Sequence, residues 1–268
     1  MCEIESAIGM FDSGIGGLTV MQRVMERLPN EQLIYFGDTA RFPYGDKSPE
    51  VVRCYTRENA KFLIQQGIKA LVIACNTSSA FSFKRLQEEM SIPLVDVIGP
   101  GAALAATKTR TGHIAVIGTE GTISSGAYQH ALAAICPGKI RVTAIACPLF
   151  APLVEEGFSD HAATHLIAEE YLGFLRSTDV DTLLLGCTHY PMLYSAIKKV
   201  IADHVALVDS ATACAEALAQ TLHCHAISRT TAAIHPHRYF VSYNPSKFCT
   251  HASAFLSIPP QEVSLVAS

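Results

Sequence analysis

Leu71–Ala80, LVIACNTSSA, constrains the fold of this chain more than any other stretch. Four apolar residues run into Cys75, and Asn76, Thr77, Ser78 and Ser79 follow at once. A short apolar run closed by small polar residues is the signature of a fully buried strand. In an open α/β sheet, groups just past the carboxyl end of such a strand line the ligand crevice. The pattern returns in Asp181–Pro191, DTLLLGCTHYP, where an apolar run closes on Gly186, Cys187, Thr188 and His189. Two thiols in equivalent strand-end positions point to chemistry that needs one on each side of a substrate.

Around these two stretches, strands and helices alternate. Ala7–Phe11 is an expected strand, followed by the glycine turn Asp12–Gly17 and a helical pattern to Leu28. Leu33–Phe36 is the second strand, and Ser48-Pro49 supplies a cap and first turn for a helix to Gly67. After the Cys75 strand come a helix from Ser79 to Met90 and a strand at Leu94–Ile98. Gly99-Pro100-Gly101 reads as a boundary. Beyond it lie strands at Ile114–Ile117 and Arg141–Ala146, a helix from Ser159 to Arg176, the Cys187 strand and Val205–Val208. The tail reads as a helix to Leu222, a His-rich segment, a strand at Tyr239–Val241 and a helix at Lys247–Leu256. This order implies two similar parallel-sheet α/β domains with the active site in the cleft between them. The expected domains are 1–98 plus 210–268, carrying Cys75, and 99–209, carrying Cys187.

Composition excludes several classes. With 268 residues, nearly half hydrophobic, the chain can bury a sizeable core. A net charge of −4 with no basic block argues against nucleic acid as a partner. No apolar run reaches the length of a membrane span, and the start MCEIESAIGMF is not the pattern of a signal peptide. The nine cysteines lack framework spacing, which points to free thiols in a reducing cytosol. Most are expected to be small core residues, Cys54 and Cys136 among them.

Cys75 and Cys187 each precede an expected helix start, whose N–H groups favour a thiolate and, with Asn76, Thr77 and Thr188, could hold a carboxylate. One thiolate removing a proton from a carbon while the opposite thiol returns one would invert that carbon, with the sulfurs roughly 7 Å apart. Either cysteine alone would read as a buried structural residue; the shared polar tails tell against that. Asp12 suits an ammonium group or a role beside Cys75, although a turn-forming aspartate reads equally well. His189, two residues from Cys187, would point the same way on extended backbone and could move its proton. Glu155 reads by itself as a solvated acid. The segment His223–Arg238, HCHAISRTTAAIHPHR, matches no zinc spacing and reads as a solvated loop.

FDSGIGGLTV, YFGDTARFPYG, ACNTSSA, VIGTEGTISSGAYQ, CPLFAPLVEEG and LGCTHYP occur here in order, and in this the chain resembles bacterial glutamate racemases over about Ile8–Asp209. Ser78 departs from the family's usual alanine. The resemblance implies a cofactor-independent, cytoplasmic enzyme, a homodimer, that interconverts L- and D-glutamate for peptidoglycan precursors. It implies Cys75 and Cys187 as acid/base thiols for the D- and L-enantiomer's proton respectively, assisted by Asp12, Glu155 and His189. Asp12-Ser13, Tyr44-Gly45, Asn76-Thr77 and Thr188-His189 fall on substrate-binding positions. An aspartate racemase, a non-catalytic binding protein with the same cleft, and a thiol hydrolase using Cys187 with His189 are the competing readings.

Overall fold

The structure is a computed structural model, describing residues 4–233, 235–260 and 262–266. It contains two parallel α/β sheets. The first has the strand order β10-β9-β2-β1-β3-β4 and the second β6-β5-β7-β8. In the first sheet β1 is Ile8–Asp12, β2 Leu33–Gly37, β3 Ala70–Ile73, β4 Leu94–Asp96, β9 Arg238–Val241 and β10 Ser264–Leu265. In the second, β5 is His113–Gly118, β6 Arg141–Ala146, β7 Thr182–Gly186 and β8 Ala206–Asp209. All pairs are parallel. The central strands are buried at every position, as unbroken apolar runs demand. The tail therefore returns to extend the first sheet past β2.

Helices cover both faces. They are α1 Leu18–Arg27, α2 Pro49–Gln65, α3 Asn76–Glu89, α4 Ile98–Lys108, α5 Glu120–Ser124, α6 Ala127–Ile135, α7 Phe150–Glu155, α8 Ala162–Leu172, α9 Tyr194–Val200, α10 Ser210–Cys224 and α11 Pro245–Ala252. Ser48 caps α2 as expected: its Oγ accepts from the Val51 N–H at 3.4 Å, and Pro49 occupies the first turn.

Two readings change. Helix α3 starts at Asn76 rather than Ser79, because Cys75 is itself the cap: its backbone is extended (φ −66°, ψ 120°) and its Sγ accepts from the Ser78 N–H. Gly99-Pro100-Gly101 lies in the first turn of α4, which joins the first sheet to the second, and proline is tolerated there because the N–H it lacks needs no partner. Cys54 and Cys136 are not core residues: Cys54 is exposed and Cys136 half-buried, while Cys147 and Cys214 are the buried structural cysteines. Helix α2 buries Val52, Thr56, Asn59, Ala60 and Leu63, and Cys54 lies about 200° around the helix from Val52. The His-rich segment finishes α10 and then runs as mostly exposed irregular chain. Its His237 Nδ1 accepts from the Leu33 N–H, and Ile234 lies outside the described residues.

Candidate active site

The carboxyl ends of β1, β3, β5 and β7 converge. Strands β1 and β3 are neighbours, with Phe11 opposite Ile73, so Asp12 and Cys75 emerge side by side. Asp12 is fully buried, and its Oδ2 accepts from the Gly14 and Gly17 N–H groups at 3.2 and 3.0 Å. The glycine turn thus closes on a carboxylate rather than a phosphate. Burial raises the Asp12 carboxyl above its ordinary value, against the opposing charge of His189 and the two N–H bonds. Cys75 is 4% exposed, with Ser13 beside it. Burial, and then the Asp12 charge, push its thiol up to about 12. The Ser78 N–H, 3.5 Å from Sγ, pulls the other way and loses. The helix N-terminus expected to favour the thiolate is therefore outweighed by desolvation.

Across the cleft, Cys187 follows β7 and is 7% exposed. No α-helix begins behind it; a four-residue 3-10 turn, Tyr190–Leu193, comes first. His189 is not on extended backbone (φ −80°, ψ −27°), yet the turn brings its Nδ1 to 3.8 Å from Cys187 Sγ. Its Nε2 meets Glu155 Oε1 at 2.7 Å. Burial works to discharge His189, but bonds and charges from Cys187 and Glu155 outweigh it and hold the imidazole protonated, well above its ordinary value. Burial likewise works to raise Glu155, but His189 holds its carboxyl below the usual range. Glu155 is thus no solvated acid but the far end of a Cys187–His189–Glu155 chain of contacts.

The two halves touch through the same residues. Thr188 Oγ1 lies 3.4 Å from Asp12 Oδ1, and the Thr19 hydroxyl donates to the Thr188 carbonyl at 3.1 Å. The Gly121 N–H donates to the Gly45 carbonyl at 2.8 Å, and Thr77 Oγ1 lies 2.9 Å from Thr119 Oγ1 and 3.2 Å from Thr122 Oγ1. The structure therefore gathers Asp12, Ser13, Cys75, Asn76, Thr77, Glu155, Cys187, Thr188 and His189, with Gly45 buried against Thr119 and Gly121. The Tyr44 hydroxyl donates to Asp38 Oδ2 and accepts from Asn59 Nδ2, which anchors a side chain that packs with Val52 and Cys75.

Sequence reading missed Asp38, Thr119, Thr122 and Tyr128. Asp38 is buried, bonded also by Arg41 and Ser242, and follows β2 much as Asp12 ends β1. Thr119 follows β5, so the strand-end rule that found Cys75 would have found it. Tyr128 could be placed only once α6 was folded against the cleft.

The family model described as Asp/Glu/Hydantoin racemase matches residues 8–218. The chain is 52% identical over 250 residues to a glutamate racemase of Geobacter metallireducens, covering 93% of this chain and 92% of that one. It superposes on a glutamate racemase of Bacillus anthracis with a TM-score of 0.92 at 40% identity, covering 99% and 98% of the two chains. A glutamate racemase of Francisella tularensis, solved with D-glutamate, gives 0.91 at 38% identity, covering 98% of each. On these matches and on the paired strand-end sites, the chain belongs to the Asp/Glu/Hydantoin racemase family and is an enzyme of the isomerase class.

Proposed function

We propose that this enzyme is a glutamate racemase that inverts Cα with two thiols and no cofactor. The observation carrying the reading is the pairing of Cys75 beside Asp12 with Cys187 beside His189 and Glu155, at strand ends joined through Thr188 and Asp12. Glutamate as substrate is supported by the named activity of the relatives at 38–52% identity over nearly the whole chain.

In the L to D direction, the Cys187 thiolate takes the α-proton and the Cys75 thiol gives one to the opposite face. The bond from Cα to hydrogen breaks on one side and forms on the other, so atoms and charge balance within the site. High buried pKa at Cys75 suits a proton donor, and the protonated His189 beside Cys187 suits the side that must carry a thiolate. The α-proton is weakly acidic, so N–H groups at the start of α3, with Asn76 and Thr77, would stabilise the carboxylate as charge builds on it. Asp12 would receive the substrate ammonium, whose arrival would also favour ionisation at Cys75.

We further propose D-glutamate supply for peptidoglycan, a cytoplasmic location and a homodimer. The eight free cysteines among the described residues support a reducing compartment. Among the described residues no helix is long and apolar enough to cross a membrane. Light scattering checks the dimer.

The deciding experiment is incubation with L-glutamate in D₂O without added cofactor, following optical rotation and the α-proton by NMR, with Cys75→Ala and Cys187→Ala in parallel. Rotation should vanish as deuterium enters Cα, and either substitution should abolish turnover. Turnover of aspartate but not glutamate would move the substrate; no exchange with either would overturn the racemase reading. Dependence on Cys187 alone would favour a hydrolase.

A further inference from the structure

Tyr128 lies outside the acid/base machinery, yet it touches the neighbour of each thiol. It is 1% exposed on α6, and its hydroxyl donates to Asn76 Oδ1 at 2.8 Å, one residue past Cys75. Its ring fills a slot made by two glycines. A Cβ on Gly186, one residue before Cys187, would come within 2.9 Å of the ring, and one on Gly101 within 3.7 Å. Gly101 belongs to α4, the chain's first passage between the sheets, and a Cβ there would also lie 2.9 Å from the Ser210 side chain. Ser210 opens α10, the return passage. One aromatic side chain thus sits where both crossings meet, between the two reactive strand ends.

The hydroxyl has a chemical consequence. Burial keeps the phenol far above its ordinary value, and Ser210 lies against the same oxygen. The phenol therefore stays protonated, and the acceptor its hydroxyl meets is the Asn76 carbonyl oxygen. An amide whose oxygen is taken must turn its NH₂ the other way. Asn76 Nδ2 is buried and has no protein partner among the described residues. A buried amide donor left unpaired is destabilising unless a ligand meets it.

We propose that Tyr128 is a positioning residue for the reaction: its hydroxyl fixes the Asn76 amide so that Nδ2 faces the substrate carboxylate, while its ring seats the strand end that carries Cys187. This rests on the racemase reading given above. The substrate group it serves is a carboxylate on the carbon flanked by the thiols, so Tyr128 acts through binding rather than proton transfer.

Tyr128→Phe keeps the ring and removes only the hydroxyl. The expected result is a KM raised about tenfold for both enantiomers with kcat changed less than about threefold, since a contact shared by ground and transition states falls mainly on KM. Because the enantiomers are equal in energy, kcat/KM must fall by the same factor in both directions. In an Asn76→Ala background, Tyr128→Phe should add nothing, measured where turnover is too slow as calorimetric binding of D-glutamate. Wild-type kinetics in Tyr128→Phe, or an undiminished loss in the Asn76→Ala background, would overturn the proposal. The side-chain ¹⁵NH₂ signal of Asn76, identified by its absence in Asn76→Ala, is read without substrate. Tyr128→Phe should shift it, and an unmoved signal also refutes the role. If the wild-type enzyme fails to racemise glutamate, the function falls while this signal still decides what Tyr128 does.

Discussion

At the residue scale, the chemistry rests on a competition between helix-end stabilisation and desolvation. Cys75 caps α3 and receives the Ser78 N–H, an arrangement that ordinarily favours a thiolate, yet burial and the Asp12 charge carry the thiol to about 12. The free enzyme should therefore alkylate slowly at Cys75 at neutral pH. Asp12→Asn separates the two causes: removing the carboxylate lowers the Cys75 pKa, so alkylation by iodoacetamide, mapped by mass spectrometry across pH, should begin at lower pH. Racemisation should nevertheless fall about a hundredfold or more, because the group proposed to receive the ammonium is gone. Faster alkylation together with faster turnover would contradict the assignment. The strand-end residues Asp12, Cys75 and Cys187 were legible in sequence because each closes an apolar run. Glu155 was not legible from its own surroundings, because its role depends on reaching His189 from another element; only the resemblance pointed to it.

At the scale of elements, the short turns after parallel strands fix which side chains can meet, and they do so by close approach. Gly16 is one such case: a Cβ there would lie 2.5 Å from the His189 ring and from Thr188 Oγ1. Gly16→Ala should push His189 away from Cys187 and cut kcat at least about tenfold. A circular dichroism spectrum should show the fold retained; full activity would mean that the His189 position does not matter. At the opposite end of the second sheet, Asp181 precedes β7 and ties down the turn before β5. Its carboxylate accepts from Thr109 Oγ1 at 2.7 Å and from the Arg110 and Thr111 N–H groups at 2.6 and 2.8 Å. Burial opposes ionisation, but these donors outweigh it and hold the carboxyl well below its usual range. A carboxyl depressed on folding contributes stability that is present above its unfolded pKa of about 3.9 and is lost as pH falls below it. Asp181→Asn should therefore cost about 1–3 kcal/mol at pH 7 in urea unfolding. The gap to wild type should narrow as pH drops below about 4, and a constant gap would exclude this account. Strand patterns predicted these elements to within a few residues, but not the α3 cap. A cysteine side chain serving as N-cap is absent from the usual signals.

At the scale of the whole molecule, the cleft is held from both sides of the sequence, and this was the least legible level. Alternating strands and helices revealed two sheets, but α6, α7 and α9 carry no strong pattern of their own, and β10 is two residues long. The tail matters because α11 brings Lys247 to 3.1 Å from Glu156, beside the Glu155 that supports His189. Besides the β2–β9 ladder and the shared apolar core, a buried ion pair at the far end of the strands ties the tail to the first sheet. Lys69 Nζ lies 2.6 Å from Glu31 Oε2, with both side chains essentially inaccessible, and also donates to the Ile4 and Ile227 carbonyls at 2.8 Å. The Arg229 N–H donates to Glu31 Oε1, so β3, the turn before β2, the amino-terminal segment and the returning tail meet at one charge pair. Removing one partner of such a pair strands the other charge in the interior and costs about 3–5 kcal/mol, whereas replacing both with apolar groups can be nearly neutral. Lys69→Met should lower unfolding stability by that amount, and Lys69→Met with Glu31→Leu should recover much of the loss. Limited proteolysis should then cut Lys69→Met first in the chain after Ile227, with activity falling as α11 leaves the Glu155 side. Equal loss in the single and double variants would show that the carbonyl bonds to Ile4 and Ile227, rather than the charge pair, hold the tail in place.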